Sequence, residues 1–147
     1  MKAPVLLIAL LAASFLATSA WARDDHNMYP LDHALNNPLA QQKLDKSIPL
    51  FFGTQPHPKV LQTFGTWGTN KKTNASNKTD QEACEWSFLS AMDALINRAR
   101  EVGANAVIDI KSNYKNIVTV SDVQYMCGNG AIMSGVAFLG TMVTLGK

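Results

Sequence analysis

The stretch from Thr79 to Ser112 constrains the fold more than any other part of this 147-residue chain, because it reads as one capped helix running into one strand. Thr79 and Glu82 have the spacing of a capping box, in which the threonine hydroxyl accepts from the amide three residues on and the glutamate reaches back to the cap amide. From there Cys84, Phe88, Ala91, Leu95, Ala99 and Val102 recur at steps of three and four, and Leu89, Met92 and Ile96 widen the apolar stripe. Arg98, Arg100 and Glu101 fill the last turns, and Gly103 supplies a left-handed residue to end the helix. Ala106, Ile108 and Ile110 then alternate with Asp109 and Lys111, a strand with one buried face and one wet face. Strands of that kind belong to antiparallel sheets. The expected fold class is α+β, one long helix on a mainly antiparallel sheet in a single domain.

Ile48–Phe52 and Val60–Phe64 are compact β-type runs stopped by Gly53 and Gly65, with a turn over Gly53–Pro58. Residues 65–78, rich in Thr, Asn, Gly and Lys, read as an exposed connection holding at most one ragged strand. Val118 and Val120, then Val123 and Tyr125, alternate in two short runs whose phase breaks at Ser121-Asp122, as in a hairpin that leaves the strand at 112 and returns near 127. A last strand within Gly135–Leu145 is expected to run antiparallel to residues 106–112. Residues 23–47 are polar and read as an extended or poorly ordered arm, with a short helix over Pro38–Leu44. The domain proper is residues 48–147.

Residues 1–22 have the makings of an export signal: Lys2, an apolar run from Pro4 to Leu16, and the small residues Ala20 and Ala22 around Trp21 before Arg23-Asp24-Asp25. The apolar run is shorter than the roughly 20 residues of a membrane span. Cleavage is expected after Ala22, leaving a periplasmic or secreted protein. Without Lys2 the chain carries twelve basic and eleven acidic side chains, so no strong net field draws it to nucleic acid or an anionic surface. The only two cysteines, Cys84 and Cys127, are expected to pair in an oxidising compartment, with two buried thiols as the alternative. The bridge would pin the helix N-terminus to the end of the 113–127 excursion.

The block CEWSFLSAMDALINRAREVGANAVIDIKSNYK resembles a helix-and-strand segment found in two bacterial groups, a small heavy-metal-binding domain family and the outer-membrane lipoprotein that senses envelope stress for the Rcs system. A closer likeness is to small exported bacterial proteins labelled "excinuclease ATPase subunit", through PLFFGTQPHP, TNKKTNASNKTDQEACEW, GANAVIDIKSNYK and YMCGNGAIMSGVAFLGTMV, over most of residues 45–147. No activity comes with it, and the ATPase label lacks its chemistry. A phosphate-cradling loop needs a glycine-rich turn and a lysine followed by Ser or Thr, whereas Gly140–Lys147 has the wrong spacing. Cys84 matches the helix-proximal cysteine of the stress sensor, but a second cysteine pair and a lipid anchor are missing.

Candidate chemistry is sparse. His26, His33 and His57 are the only histidines, and their spacing, with no Cys-x-x-Cys, is not that of a zinc site. His57 is a base without a nucleophile motif, and Asp93, Glu101 and Asp109 read as surface carboxylates. No catalytic residue, metal site or cofactor is assigned. Lys71, Lys72 and Lys78 with Trp67 make a basic, aromatic loop, read as solvated rather than as a nucleic-acid surface. The tail from Ala131 to Leu145 reads as core strand. The expected role is a non-enzymatic module that binds another envelope protein or itself, with Gln55, His57, Trp67, Asn70, Lys71 and Lys72 as candidate contact residues. A periplasmic ligand- or metal-binding protein is the alternative, and a hydrolase stands third.

Overall fold

The computed structural model describes residues 22–147, so the expected leader lies outside the described residues except for Ala22. In chain order the elements are β1 (Asp25–Pro30), α1 (Leu31–Asn36), α2 (Pro38–Lys43), β2 (Leu50–Phe52), β3 (Val60–Asn74), α3 (Asp80–Val102), β4 (Ala106–Ser112), a 3-10 turn (Tyr114–Asn116), β5 (Gln124–Asn129) and β6 (Met133–Leu145). The expected capping box is present: the Thr79 hydroxyl accepts from the Glu82 amide at 3.1 Å and Glu82 Oε2 from the Thr79 amide at 2.8 Å. Gly103 closes α3 at φ 79°, and its amide donates back to Arg100 O. Among the described residues no helix is long and apolar enough to cross a membrane.

The sheet is organised on β6. Its whole length pairs with β3 on one side, while β5 takes the start and β4 the rest of the other side, all antiparallel. β1 adds antiparallel outside β5, and β2 adds outside β4 as the one parallel pair among the described residues. The fold is α+β. α3 lies across one face, where Phe88 meets Tyr125 at 4.6 Å between ring centroids, Phe138 at 5.6 Å and Phe52 at 6.0 Å. Leu31 and Ala34 of α1 and Ala40 of α2 close the core beside α3. A smaller cluster of Phe51, Val60, Ala106, Ile108, Val143 and Leu145 lies apart from this core, with the 53–59 connection joining β2 to β3 beside it.

Cys84 and Cys127 are bonded, with Cα atoms 6.0 Å apart and no exposure of either residue. The bridge ties the first turn of α3 to β5. Beside it the buried Asn129 donates from Nδ2 to Cys84 Sγ at 3.0 Å and Ser134 Oγ at 3.2 Å, and accepts at Oδ1 from Asn27 and Tyr29. One amide thus joins β1, α3, β5 and β6.

Four expectations are corrected. The polar arm at 23–47 holds its expected short helix as α2, but the rest is built into the domain as β1 and α1, because Asn27 and Tyr29 turn inward and find Asn129. Residues 65–74 are not a connection but most of β3, whose single partner strand and half-covered faces need little apolar sequence. The 113–127 excursion is not a hairpin: residues 113–123 hold a 3-10 turn and one bridge between Ser112 and Thr119, and β5 pairs with β1 and β6. In β4 an extra residue at Asp109 (φ 50°) makes a bulge between Ile108 and Lys111. Ala106 and Ile108 therefore meet the smaller cluster, while Val107 and Ile110 meet α3, and the three residues expected on one face are divided.

Candidate functional site

Alternation along β5 sends Tyr125, Cys127 and Asn129 toward α3, so Met126 and Gly128 face the other way. On that far face the strand registers set out a lateral row: His26 of β1 beside Gly128, Gly128 beside Gly135 of β6, and Gly135 beside Lys72 of β3. The two central positions have no side chain. The ring of Tyr114 fills the space above Gly128, where a Cβ would collide with the phenol. The Lys72 stem leans over Gly135 in the same way. With Arg23, Asp24, Ile132 and Met133 as walls, Gly128, Gly135 and Lys72 of this row, together with Tyr114, floor an open groove of about 360 Å³, and His26 lies outside its lining.

Ionisable groups at one end of the groove neutralise one another. Asp24 accepts from Lys115, which holds its carboxyl below the usual range, and His26 Nε2 stands 3.4 Å from the same oxygen. Burial, then the Asp24 charge, raises the Tyr114 phenol above its ordinary value, so it stays a hydrogen-bond donor. The Arg23 guanidinium is committed to Asp80 and Asp25. Lys72 has no ion-pair partner among the described residues. Exposed Ile132 and Met133 give the mouth an apolar lip. Among the described residues no hydroxyl or thiol is hydrogen-bonded to a histidine, and no three His, Cys, Asp or Glu side chains converge as a metal site. What this groove offers a ligand is hydrogen bonding, one ammonium and apolar contact.

The six contact residues expected from sequence do not form one surface. Gln55 accepts from the Phe52 amide and donates to Asp122 O, and Thr54 donates twice to the Asp122 carboxylate. These bonds lock the 53–58 turn onto the 121–123 turn. His57 sits edge-on to Phe51. Trp67 and Lys71 point to the α3 side, where the Arg98 guanidinium lies 4.6 Å over the indole, and Asn70 and Lys72 point to the far face. Only Lys72 reaches the groove. Tyr114, Gly128 and Gly135 were not singled out by sequence reasoning; Gly128 and Gly135 are seven residues apart around a tight turn, but Tyr114 joins them only through the fold.

No protein-family model, curated protein or solved structure matches this chain.

Proposed function

We propose that this protein is an exported, non-enzymatic module of the bacterial envelope that acts by binding a protein partner, either another envelope component or itself. The observation that carries the reading is the run after the 3-10 turn, where Ile117, Val118, Val120 and Val123 stand between 51% and 67% exposed. Four β-branched side chains on one excursion contribute nothing to either core cluster, and an apolar surface of that kind marks a contact site. A buried disulfide and the export-like leader support the compartment. Fractionation of tagged full-length chain, followed by crosslinking in intact cells, tests both parts. Recovery in the periplasm, with a crosslinked species lost in a Val118→Lys, Val120→Lys variant, is the expected result. Retention in the cytoplasm refutes the export reading.

A second reading is favoured by the groove alone: a ligand-binding protein in which Lys72 and Tyr114 meet an anionic or hydroxyl-bearing small molecule over the glycine floor. Lys72→Ala separates the two, since it removes ligand binding and leaves the apolar excursion intact.

A further inference from the structure

Thr119 is held against the end of β4 by two backbone bonds, its amide to Ser112 O at 2.9 Å and the Ser112 amide to its carbonyl at 3.1 Å. In an extended segment, neighbouring residues direct their backbone groups to opposite sides. The amides and carbonyls of Val118 and Val120 therefore point outward, and none of the four bonds to another described residue. Residues 117–120 are thus a short open sheet edge made of Ile-Val-Thr-Val. Other edges of this sheet carry the devices that discourage pairing. β3 has two register shifts and Lys71 and Lys72, β1 has Asp25 and stops at Pro30, and β2 is three residues long. The 117–120 edge has no proline, no lysine and no bulge.

We infer that this edge pairs antiparallel with the same edge of a second copy, about a two-fold axis at Thr119; the inference rests on the proposed function and names its partner. The segment is its own complement. With Thr119 opposite Thr119 of the second copy, Val118 stands opposite Val120 in both directions, and the four outward groups of each chain are satisfied by the four of the other. Residues 116–121 carry no charge, Lys115 precedes them and Asp122 follows. Lys115 is held by Asp24 and Asp122 by Thr54, so the paired stretch meets its copy with no charge inside it. The exposed faces of Ile117, Val118, Val120 and Val123 fall short of the roughly 800 Å² per partner of a standard stable interface, so the dimer is weak and concentration-dependent.

Because the axis passes through residue 119, its Cα atoms in the two copies approach to about 4.5 Å, within disulfide reach. Thr119→Cys should crosslink between copies on mild oxidation, while Leu61→Cys, at a more exposed position on β3, should not; the native cysteines are buried in their own bridge and do not compete. Sedimentation of the wild type from micromolar to millimolar should show a growing dimer. Val118→Pro removes one outward amide per chain next to Ile117, which is already extended as a residue before proline must be. It should weaken association at least about tenfold, since symmetry applies the loss twice. Val120→Lys, which leaves the backbone free, is the second variant, and circular dichroism confirms that both fold. A wild type monomeric throughout, or a Thr119→Cys variant that crosslinks no faster than the Leu61→Cys variant, overturns the inference. In that case the wider reading stands only if the same protein is crosslinked to a different envelope protein in cells.

Discussion

Removing the Cys84–Cys127 bridge is the perturbation with the most fully determined cost. It closes a loop of 43 residues, and the chain-entropy relation for a loop of that length gives about 4 kcal/mol at 25 °C. Unfolding residues 22–147 at about 2.1 cal/mol/K per residue carries an entropy near 0.26 kcal/mol/K, so the melting temperature should fall by about 15 °C. Cys84→Ala, Cys127→Ala and the double variant should agree within about 1 kcal/mol, because each removes the same crosslink once. The small spread reflects the Asn129 amide, which loses an acceptor at 3.0 Å when Cys84 is changed and keeps it when Cys127 is. Thermal unfolding followed by circular dichroism, with and without reductant, measures all of this, the reduced wild type joining the variants. Neither sulfur is exposed, so the native protein should also resist reductant until it opens. Single variants whose costs add in the double, or a reduced wild type as stable as the oxidised one, would refute the reasoning.

Tyr125 is fully buried and its hydroxyl has no partner among the described residues, so Tyr125→Phe should cost nothing measurable or stabilise the protein in a denaturant titration. Burial raises that phenol above 10.0; its stabilisation is complete below the unfolded value and is lost as pH climbs toward the folded one, so wild-type stability should decline above about pH 10 and the phenylalanine variant should decline less. Asp24 should titrate below 3.8 in an NMR pH series, and Lys115→Met should return it upward; the pair's contribution is present above the unfolded pKa and fades as pH falls through the folded one. Gly140→Ala places a Cβ 2.8 Å from Val107 Cγ1 and 3.3 Å from Leu95 Cδ1, so overpacking between α3 and the sheet should cost about 1–3 kcal/mol by urea unfolding.

The helix was legible because every signal for it is local: a cap box, a stripe with a period near 3.6, and a terminal glycine within one stretch. The disulfide was legible for a similar reason, since only one pairing exists. What escaped is decided at a distance. β1 reads as polar because its inward Asn27 is satisfied by Asn129, 102 residues away, and no window around Asn27 contains that partner. β3 looks like a loop because Thr, Asn and Lys suffice on a strand whose outer edge is solvated and whose inner register is dictated by β6. The bulge at Asp109 is invisible to a count of alternating residues, yet it decides which isoleucine meets the helix. The groove depends on Tyr114 crossing onto Gly128, a contact that the chain makes only after β4 and β5 are placed.

β6 emerges from the ribosome after β3, β4 and β5, all of which pair with it. Until it arrives, β3 has no strand to lie against and β5 has only β1. Sheet closure is therefore a late event set by contacts far apart in sequence, which slows folding. On the proposed export route that delay is useful: a translocating chain cannot close its sheet until β6 has cleared the membrane, and a chain cut short before Met133 would be left with two separate strand pairs, β1 with β5 and β2 with β4, and nothing to join them.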